Sequence, residues 1–327
     1  MTYKLKYLAT ICSIVFTILS LTGCTNHSTA TTHTPQSITS QTENQSNSTE
    51  KTSSTNSTGT MDIYILDVGQ GDSILIKVGD EYTMVDTGDV AHRRSTVTTL
   101  KKLGVSHIKN VIITHPHEDH IGGVYGISKE IPIDTIYDDG IAVDNNLYKT
   151  YRAMIEKKHI THKVLQKGDT VDLGNGARFD VYAPSDSLSY AEAKAQGGKK
   201  LGSQSKYLNN HSIAGKLVFG NYSLFLTGDA EQEEESQLVK DYNSKLFSRM
   251  LKVSHHGSNH SSIEKFIRSI KPESALISVG LHNDYGHPGN ETLERFKKNN
   301  VLVYRTDTMG MIHVATDGKQ WHITTER

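Results

Sequence analysis

The apolar positions of this chain fall into short runs whose period changes along its length. Runs of strand length, alternating or continuously apolar, occupy 61–68, 73–78, 83–86, 110–114, 133–137, 177–182, 213–219, 223–227, 250–253, 274–279, 301–304 and 311–315. Apolar residues return at three- and four-residue spacing over 91–103, 145–158, 230–242, 262–270 and 290–299, which predicts amphipathic helices. Hairpin-like strands come first and strands alternating with helices follow, the order expected of α/β layers. The stretch 61–327 is long enough for one large core, and it shows no repeat at solenoid spacing. Within it, 187–210 is rich in Gly, Ser and Lys and reads as a flexible surface insertion.

The pattern ahead of residue 61 is of another kind. Lys4 and Lys6 precede an uncharged apolar run from Tyr7 to Leu21. That run is short for a bilayer-crossing helix, which needs about 20 residues, and suits the core of a signal peptide. It ends Leu21-Thr22-Gly23-Cys24, which resembles the bacterial lipobox. The resemblance implies cleavage before Cys24, a lipid on its sulfur, and anchoring at the extracellular face of the cytoplasmic membrane. Residues 1–23 are therefore expected as a lipoprotein signal peptide. Residues 24–60, dominated by Ser, Thr, Asn and Gln without an aromatic residue, are expected as a disordered tether with an r.m.s. reach of about 30–36 Å. Residues 61–327 are expected as the folded domain.

Composition narrows the chemistry. With 35 Lys+Arg against 36 Asp+Glu the net charge is −1, which argues against a protein that holds nucleic acid by bulk basic charge. The 2 cysteines, Cys12 and Cys24, both lie ahead of the folded stretch, which thus has neither a disulfide nor a thiolate ligand. Histidine is abundant at 17 residues, all but His27 and His33 after residue 60, and suggests a site for imidazole-preferring metals.

The polar residues with chemistry sit where predicted strands end: Gly69-Gln70-Gly71-Asp72, Asp86-Thr87-Gly88-Asp89, His115, Asp229, and His255-His256. Strand ends are the usual place for a site in such sheets. The densest group is Thr114-His115-Pro116-His117-Glu118-Asp119-His120-Ile121-Gly122-Gly123. In extended backbone, residues two apart project to one side, so His115 and His117 can reach one ion. Asp119 and His120 can reach a second, and two ions about 3.5–4 Å apart can bridge an attacking hydroxide.

His-x-His-x-Asp-His after a strand resembles the metallo-β-lactamase superfamily. Leu66-Asp67-Val68-Gly69-Gln70-Gly71-Asp72-Ser73, Asp86-Thr87-Gly88, Asn209-Asn210-His211-Ser212, Leu226-Thr227-Gly228-Asp229, Ser254-His255-His256-Gly257-Ser258 and Gly286-His287-Pro288 resemble its ComEC-type (competence) branch. The resemblance spans roughly 61–317 and looks like the free-standing, secreted members. It implies an α/β fold, a four-layer αββα sandwich, with two divalent metal ions, Zn²⁺ or Mn²⁺, at one edge of the sheets. By this resemblance Asp229 matches the bridging carboxylate, beside His115, His117, Asp119, His120 and His255 as ligands, with Asp119, His256 and His287 in the catalytic group. His255 and His287 both remain open for the last ligand position, and His287 equally for proton donation to a leaving oxygen. Asp86 and Asp72 are expected to orient ligating imidazoles. Where many relatives supply another histidine, this chain has Asn210 and His211. An amide-oxygen ligand from Asn210 would favour harder ions such as manganese.

The implied activity is that of a binuclear metal-dependent hydrolase, most readily a nuclease or phosphodiesterase acting on extracellular DNA, with no obligate protein partner evident. Lys199, Lys200 and Lys206 are placed to meet a phosphate backbone, or to form a solvated loop. The competing readings are hydrolysis of another ester, a lactone or a β-lactam on the same fold, and a non-catalytic surface protein.

Overall fold

Alternation along β1 (Met61–Ile65) sends Met61, Ile63 and Ile65 to one face and Tyr64 to the other. The computed structural model describes residues 59–185 and 204–327. The signal-peptide segment, nearly all of the expected tether including Cys24, and most of the 187–210 insertion with Lys199 and Lys200 lie outside the described residues.

Two mixed sheets form the centre. In the first, β1 is joined by β2 (Ser73–Val78), β3 (Glu81–Thr87), β4 (Ile108–Ile112), β5 (Ile133–Asp138), β6 (Thr161–Val164), β14 (Ile312–Thr316) and β15 (Trp321–Thr325), in the order β15-β14-β1-β2-β3-β4-β5-β6. Pairing is antiparallel from β15 to β3 and parallel from β3 to β6. The second sheet runs β13-β12-β11-β10-β9-β8-β7, from β7 (Thr170–Gly174), β8 (Ala177–Ala183), β9 (Ala214–Phe219), β10 (Tyr222–Leu226), β11 (Met250–Lys252), β12 (Ser274–Ile277) and β13 (Leu302–Arg305). It is antiparallel from β7 to β10 and parallel from β10 to β13.

Parallel neighbours need crossovers, and helices supply them. On the first sheet, α1 (Arg93–Lys102), α3 (Val124–Glu130) and α4 (Asn146–Lys158) bury Leu100, Ile127 and Tyr151 against Leu75 and Val111. On the second, α6 (Gln232–Tyr242), α7 (Glu264–Ile270) and α8 (Asn290–Lys298) bury Leu238, Phe266 and Phe296 against Phe225 and Leu251. Between the sheets, Ile63 and Ile76 join a core with Phe179, Leu217 and Leu224. The result is the αββα sandwich expected. Three short helices, α2 (Glu118–Ile121), α5 (Gln204–Asn210) and α9 (Thr306–Met309), belong to connections.

The differences from the sequence reading have physical causes. β6 and β15 are edge strands with mostly exposed or half-buried side chains, so they lack the apolar alternation that announces a strand. The end of the 187–210 segment is not a surface loop: 204–210 is α5, and its Leu208, Asn209 and Asn210 are buried. Lys206 on that helix is paired with Glu233 at 2.6 Å. Among the described residues no helix is long and apolar enough to cross a membrane.

Candidate metal centre

Each parallel strand near the middle of a sheet ends in a loop that carries a polar side chain to the same edge of the sandwich. Asp86, near the end of β3, accepts hydrogen bonds from the Thr114 amide at 2.8 Å and the Thr114 hydroxyl at 2.7 Å. Its Oδ2 lies 2.8 Å from His120 Nδ1, which turns the opposite ring nitrogen of His120 inward. His120 occupies the first turn of α2, directly after the extended His115–His117 stretch. Gly71 backs onto this turn. With φ 144 and the Asp119 carbonyl oxygen 2.6 Å from where a Cβ would stand, only glycine fits there.

The second sheet supplies the other half. Asp229 follows β10, and its amide donates to Ser212 Oγ at 3.1 Å. The same Ser212 hydroxyl lies 3.2 Å from His115 Nδ1. After β11 come His255, His256 and Gly257, with φ of 47, 52 and 83. Left-handed backbone costs a non-glycine residue roughly 1–2 kcal/mol and persists only where surrounding contacts over-determine it. Here it splays two adjacent imidazoles. His256 is buried, with Nδ1 donating to the Ser278 carbonyl at 3.0 Å and Nε2 3.2 Å from Asp119 Oδ2. His255 faces the opening, with Nε2 3.8 Å from Asp229 Oδ2 and Nδ1 3.4 Å from Glu231 Oε1.

Three groups of potential ligand atoms result among the described residues; two share Asp229, namely His115, His117 and Asp229, and Asp119, His120, Asp229 and His256, and the third, Asp72, Asp86 and His120, lies behind them. His115 Nε2 lies 2.8 Å from His117 Nδ1 and 3.9 Å from Asp229 Oδ2. His120 Nε2 is 3.3 Å from Asp229 Oδ2, and His256 Nε2 is 3.6 Å from Asp229 Oδ1. The residues fit divalent ions. His120 Nε2 and Asp229 Oδ1 are buried without a hydrogen-bond partner, and imidazole nitrogens with carboxylate oxygens are a donor set for first-row divalent metals.

The electrostatics agree. Burial pushes the His120 imidazole down, but the carboxylates of Asp229, Asp86 and Asp119 outweigh it and hold it well above the ordinary value. Burial, helped by the nearby His120 and His117 rings, keeps His115 well below it. A ligating imidazole must be deprotonated, so metal binding displaces the proton of His120.

The structure places each candidate residue of the metal centre named from sequence. His115, His117, Asp119, His120 and Asp229 are brought together. His256 joins them, whereas His255 and His287 stand outside both groups at the pocket wall. Asp86 supports His120, and Asp72 lies behind His256, 3.5 Å from its Nδ1. Asn210 faces elsewhere: its Oδ1 accepts the amides of Glu231 and Glu234 at the start of α6. His211 Nδ1 is 3.5 Å from Asp139 Oδ2, away from the centre. From that segment it is Asn209, lining the pocket and bonded to Glu231 at 3.0 Å, and Ser212 that touch the site. Lys252 went unnoticed in the sequence. It is fully buried within β11 and donates to Asp72 Oδ2 at 2.7 Å. A lysine in an otherwise apolar strand was the available signal.

The centre floors an open pocket of about 230 Å³, whose wall includes Gln70, Asn209, His255, Tyr285 and His287. Burial, and then the imidazoles of His255 and His256, push His287 down to about 4. At pH 7 the ring is neutral, so it carries no imidazolium proton to give to a leaving oxygen. A histidine depressed in the fold adds stability that is complete above about 6.5, its unfolded value, and is lost as pH falls toward 4. In chelator-treated protein, wild type should therefore lose more stability between pH 6.5 and 4.5 than His287→Gln. Urea midpoints at the two pH values measure this, and equal losses would contradict it.

A sandwich of this topology, with His and Asp side chains converging at the strand ends, defines the metallo-β-lactamase fold. Residues 66–281 match the family model of the metallo-beta-lactamase superfamily, and the chain belongs to that superfamily of metal-dependent hydrolases. Among curated relatives it is similar to competence protein ComA of Neisseria gonorrhoeae, 29% identical over 76% of this chain and 31% of that protein. It is similar to ComE operon protein 3 of Bacillus subtilis, 27% identical over 77% of this chain and 32% of that one. Recombination protein 2 of Haemophilus influenzae is 26% identical over 78% and 29%. The chain thus spans about a third of the length of these relatives. Among solved structures, the metallo-beta-lactamase fold protein YhfI from Bacillus subtilis superposes with a TM-score of 0.51 at 12% identity, over 77% of this chain and 98% of that one. CmlA, a diiron beta-hydroxylase from Streptomyces venezuelae, gives 0.50 at 11% identity, over 76% and 53%. At such identities the likeness concerns the fold.

Proposed function

We propose that this protein is a binuclear phosphodiesterase that cuts nucleic acid, with extracellular DNA at the cell surface as its substrate. The observation that carries this reading is the pair of donor groups sharing Asp229 and opening into one pocket. Two divalent ions bound there, zinc or manganese, supply an activated water at neutral pH and neutralise charge on the phosphoryl oxygens. The chain's own side chains do the remaining work. Asp229 spans both groups, Asp86 fixes the tautomer of His120, and the Ser278 carbonyl fixes that of His256. His255, Asn209 and His287 line the wall where substrate oxygens arrive. His287, neutral at pH 7, can donate or accept a hydrogen bond to a substrate oxygen or water there.

Nucleic acid is favoured over other esters because the relatives carry names of competence and recombination. The lipobox-like Cys24 and the tether-like segment after it support a lipid anchor on the outer face of the membrane. A net charge of −1 suits a short footprint on the substrate rather than a long basic track. The test is cleavage of single- and double-stranded DNA by the purified full chain in Mn²⁺ or Zn²⁺, with Asp119→Ala and a chelated sample as controls. Degradation by wild type and by neither control is expected. A protein that binds metal and hydrolyses lactones or nitrocefin but leaves DNA and RNA intact would overturn the reading.

A further inference from the structure

The loop between β12 and α8 carries a residue that neither the fold nor the metal centre requires. Tyr285 is 71% exposed, although the loop that holds it is tightly built. The Asn283 side chain donates to the carbonyls of Gly280 and His287 at 2.9 and 2.7 Å, and accepts from the amides of Tyr285 and His287 at 3.2 and 3.0 Å. The Gly280 amide in turn donates to Gln70 Oε1 at 3.1 Å, which fastens the loop to the first sheet's side of the pocket. A large aromatic side chain held in water on an ordered support has given up freedom without burying its surface.

The ring's position suggests what it is for. Tyr285 lies over His287 at 5.7 Å between centroids and 23° between planes, and both line the pocket above the donor groups. His287 is 5.4 Å from the His255 ring and 6.5 Å from the His256 ring. The stack therefore climbs from the metal centre to the rim. His287 covers one face of Tyr285, and exposure on this scale leaves the rest of the ring to solvent. The pocket wall also carries the polar side chains of Gln70, Ser205 and Asn209. Donor groups and polar side chains are there to meet a phosphodiester, and the exposed Tyr285 ring, stacked on His287, is there to meet a base attached through its sugar.

We infer that Tyr285 is a stacking platform for a nucleobase next to the scissile phosphate, and that the substrate is a single-stranded or frayed nucleic acid. Placement of the phosphate rests on the phosphodiesterase reading; the platform rests on the loop. Bases within a duplex are stacked on one another and cannot offer a face to a rim residue without leaving the stack. An unpaired base can, and the contact is tolerant of sequence because every base has a π-face.

The test compares wild type, Tyr285→Ala and Tyr285→Phe on a single-stranded oligonucleotide and on an abasic oligonucleotide of the same length, whose sugar-phosphate backbone carries no aromatic ring. The alanine variant should raise KM for the oligonucleotide about ten-fold, equivalent to about 1.4 kcal/mol and within the range of one stacked base. Its kcat/KM for the abasic oligonucleotide should match wild type, and the phenylalanine variant should match wild type on both. Separately, a 2-aminopurine oligonucleotide added to chelator-treated protein should be quenched by wild type and by Tyr285→Phe, and not by Tyr285→Ala. An unchanged oligonucleotide KM, equal losses on both substrates, or quenching that survives in Tyr285→Ala would each overturn the inference. If wild type cleaves neither substrate while quenching still depends on Tyr285, the base site stands and the phosphodiesterase reading fails.

Discussion

Asp229→Ala is expected to deplete both halves of the metal centre at once. Asp229 is the one residue common to the two donor groups, so its loss removes a ligand atom from each. Displacing residues that merely orient ligands already lowers affinity or activity 10–100-fold, so a drop of more than about 10²-fold in hydrolysis is expected. The metal-free fold should suffer as well. Burial pushes the Asp229 carboxyl up, but the imidazoles of His120, His256 and His255 outweigh it and hold it well below the usual carboxylate range. A depressed carboxylate contributes stability that is present above its unfolded pKa and lost as pH falls through the folded value. At pH 7 wild type has this contribution in full and the variant has none. Metal analysis by mass spectrometry and thermal melts in chelator read the two effects separately. A variant that keeps the full wild-type metal content would refute the shared-ligand assignment.

The second large effect is expected at Lys252. Its ammonium is fully buried, donates to Asp72 at 2.7 Å and to the Val253 carbonyl at 3.1 Å, and has no access to water. Lys252→Met leaves the Asp72 carboxylate buried without its cation, a loss of about 3–5 kcal/mol for a pair of this kind. At roughly 2–4 °C per kcal/mol for a domain of this size, the melting temperature should fall by roughly 6–20 °C. The double variant Lys252→Met/Asp72→Asn removes both charges and should recover most of that loss, because paired removal of a buried ion pair is often close to neutral. Because Asp72 Oδ1 also lies 3.5 Å from His256 Nδ1, the single variant should additionally weaken metal binding. Equal melting temperatures for wild type and Lys252→Met would show that the pair carries no stability.

Much of this was legible in the chain. Periods of two and of about four residues mark most strands and the long helices because one face of each is buried. The His115–His120 group is legible because its ligands are close in sequence. Asp229 is legible as a polar residue at the end of an apolar strand. Contacts between distant segments are not. Asp72 and Lys252 are 180 positions apart, and nothing local in either segment says that they meet. From sequence His255 is expected among the ligands and His256 in the catalytic group, whereas the structure puts His256 in a donor group and His255 at the pocket wall; adjacent imidazoles are equivalent until the backbone is known. Two successive left-handed residues decide which ring enters the core. Asn210 and His211 looked like ligand candidates because of where they stand in the chain. The end of α5 turns one toward the start of α6 and the other toward Asp139.

The split origin of the ligands has a consequence for how the protein matures. His115, His117, Asp119 and His120 come from loops of the first sheet, Asp229 and His256 from loops of the second. Neither sheet by itself presents either donor group complete. A metal ion held by such a group would clasp the two halves together, and its binding energy would be drawn from the docked form alone. A chain whose sheets have not yet closed on each other would hold neither of these donor groups complete, so metal affinity would arrive together with the finished sandwich.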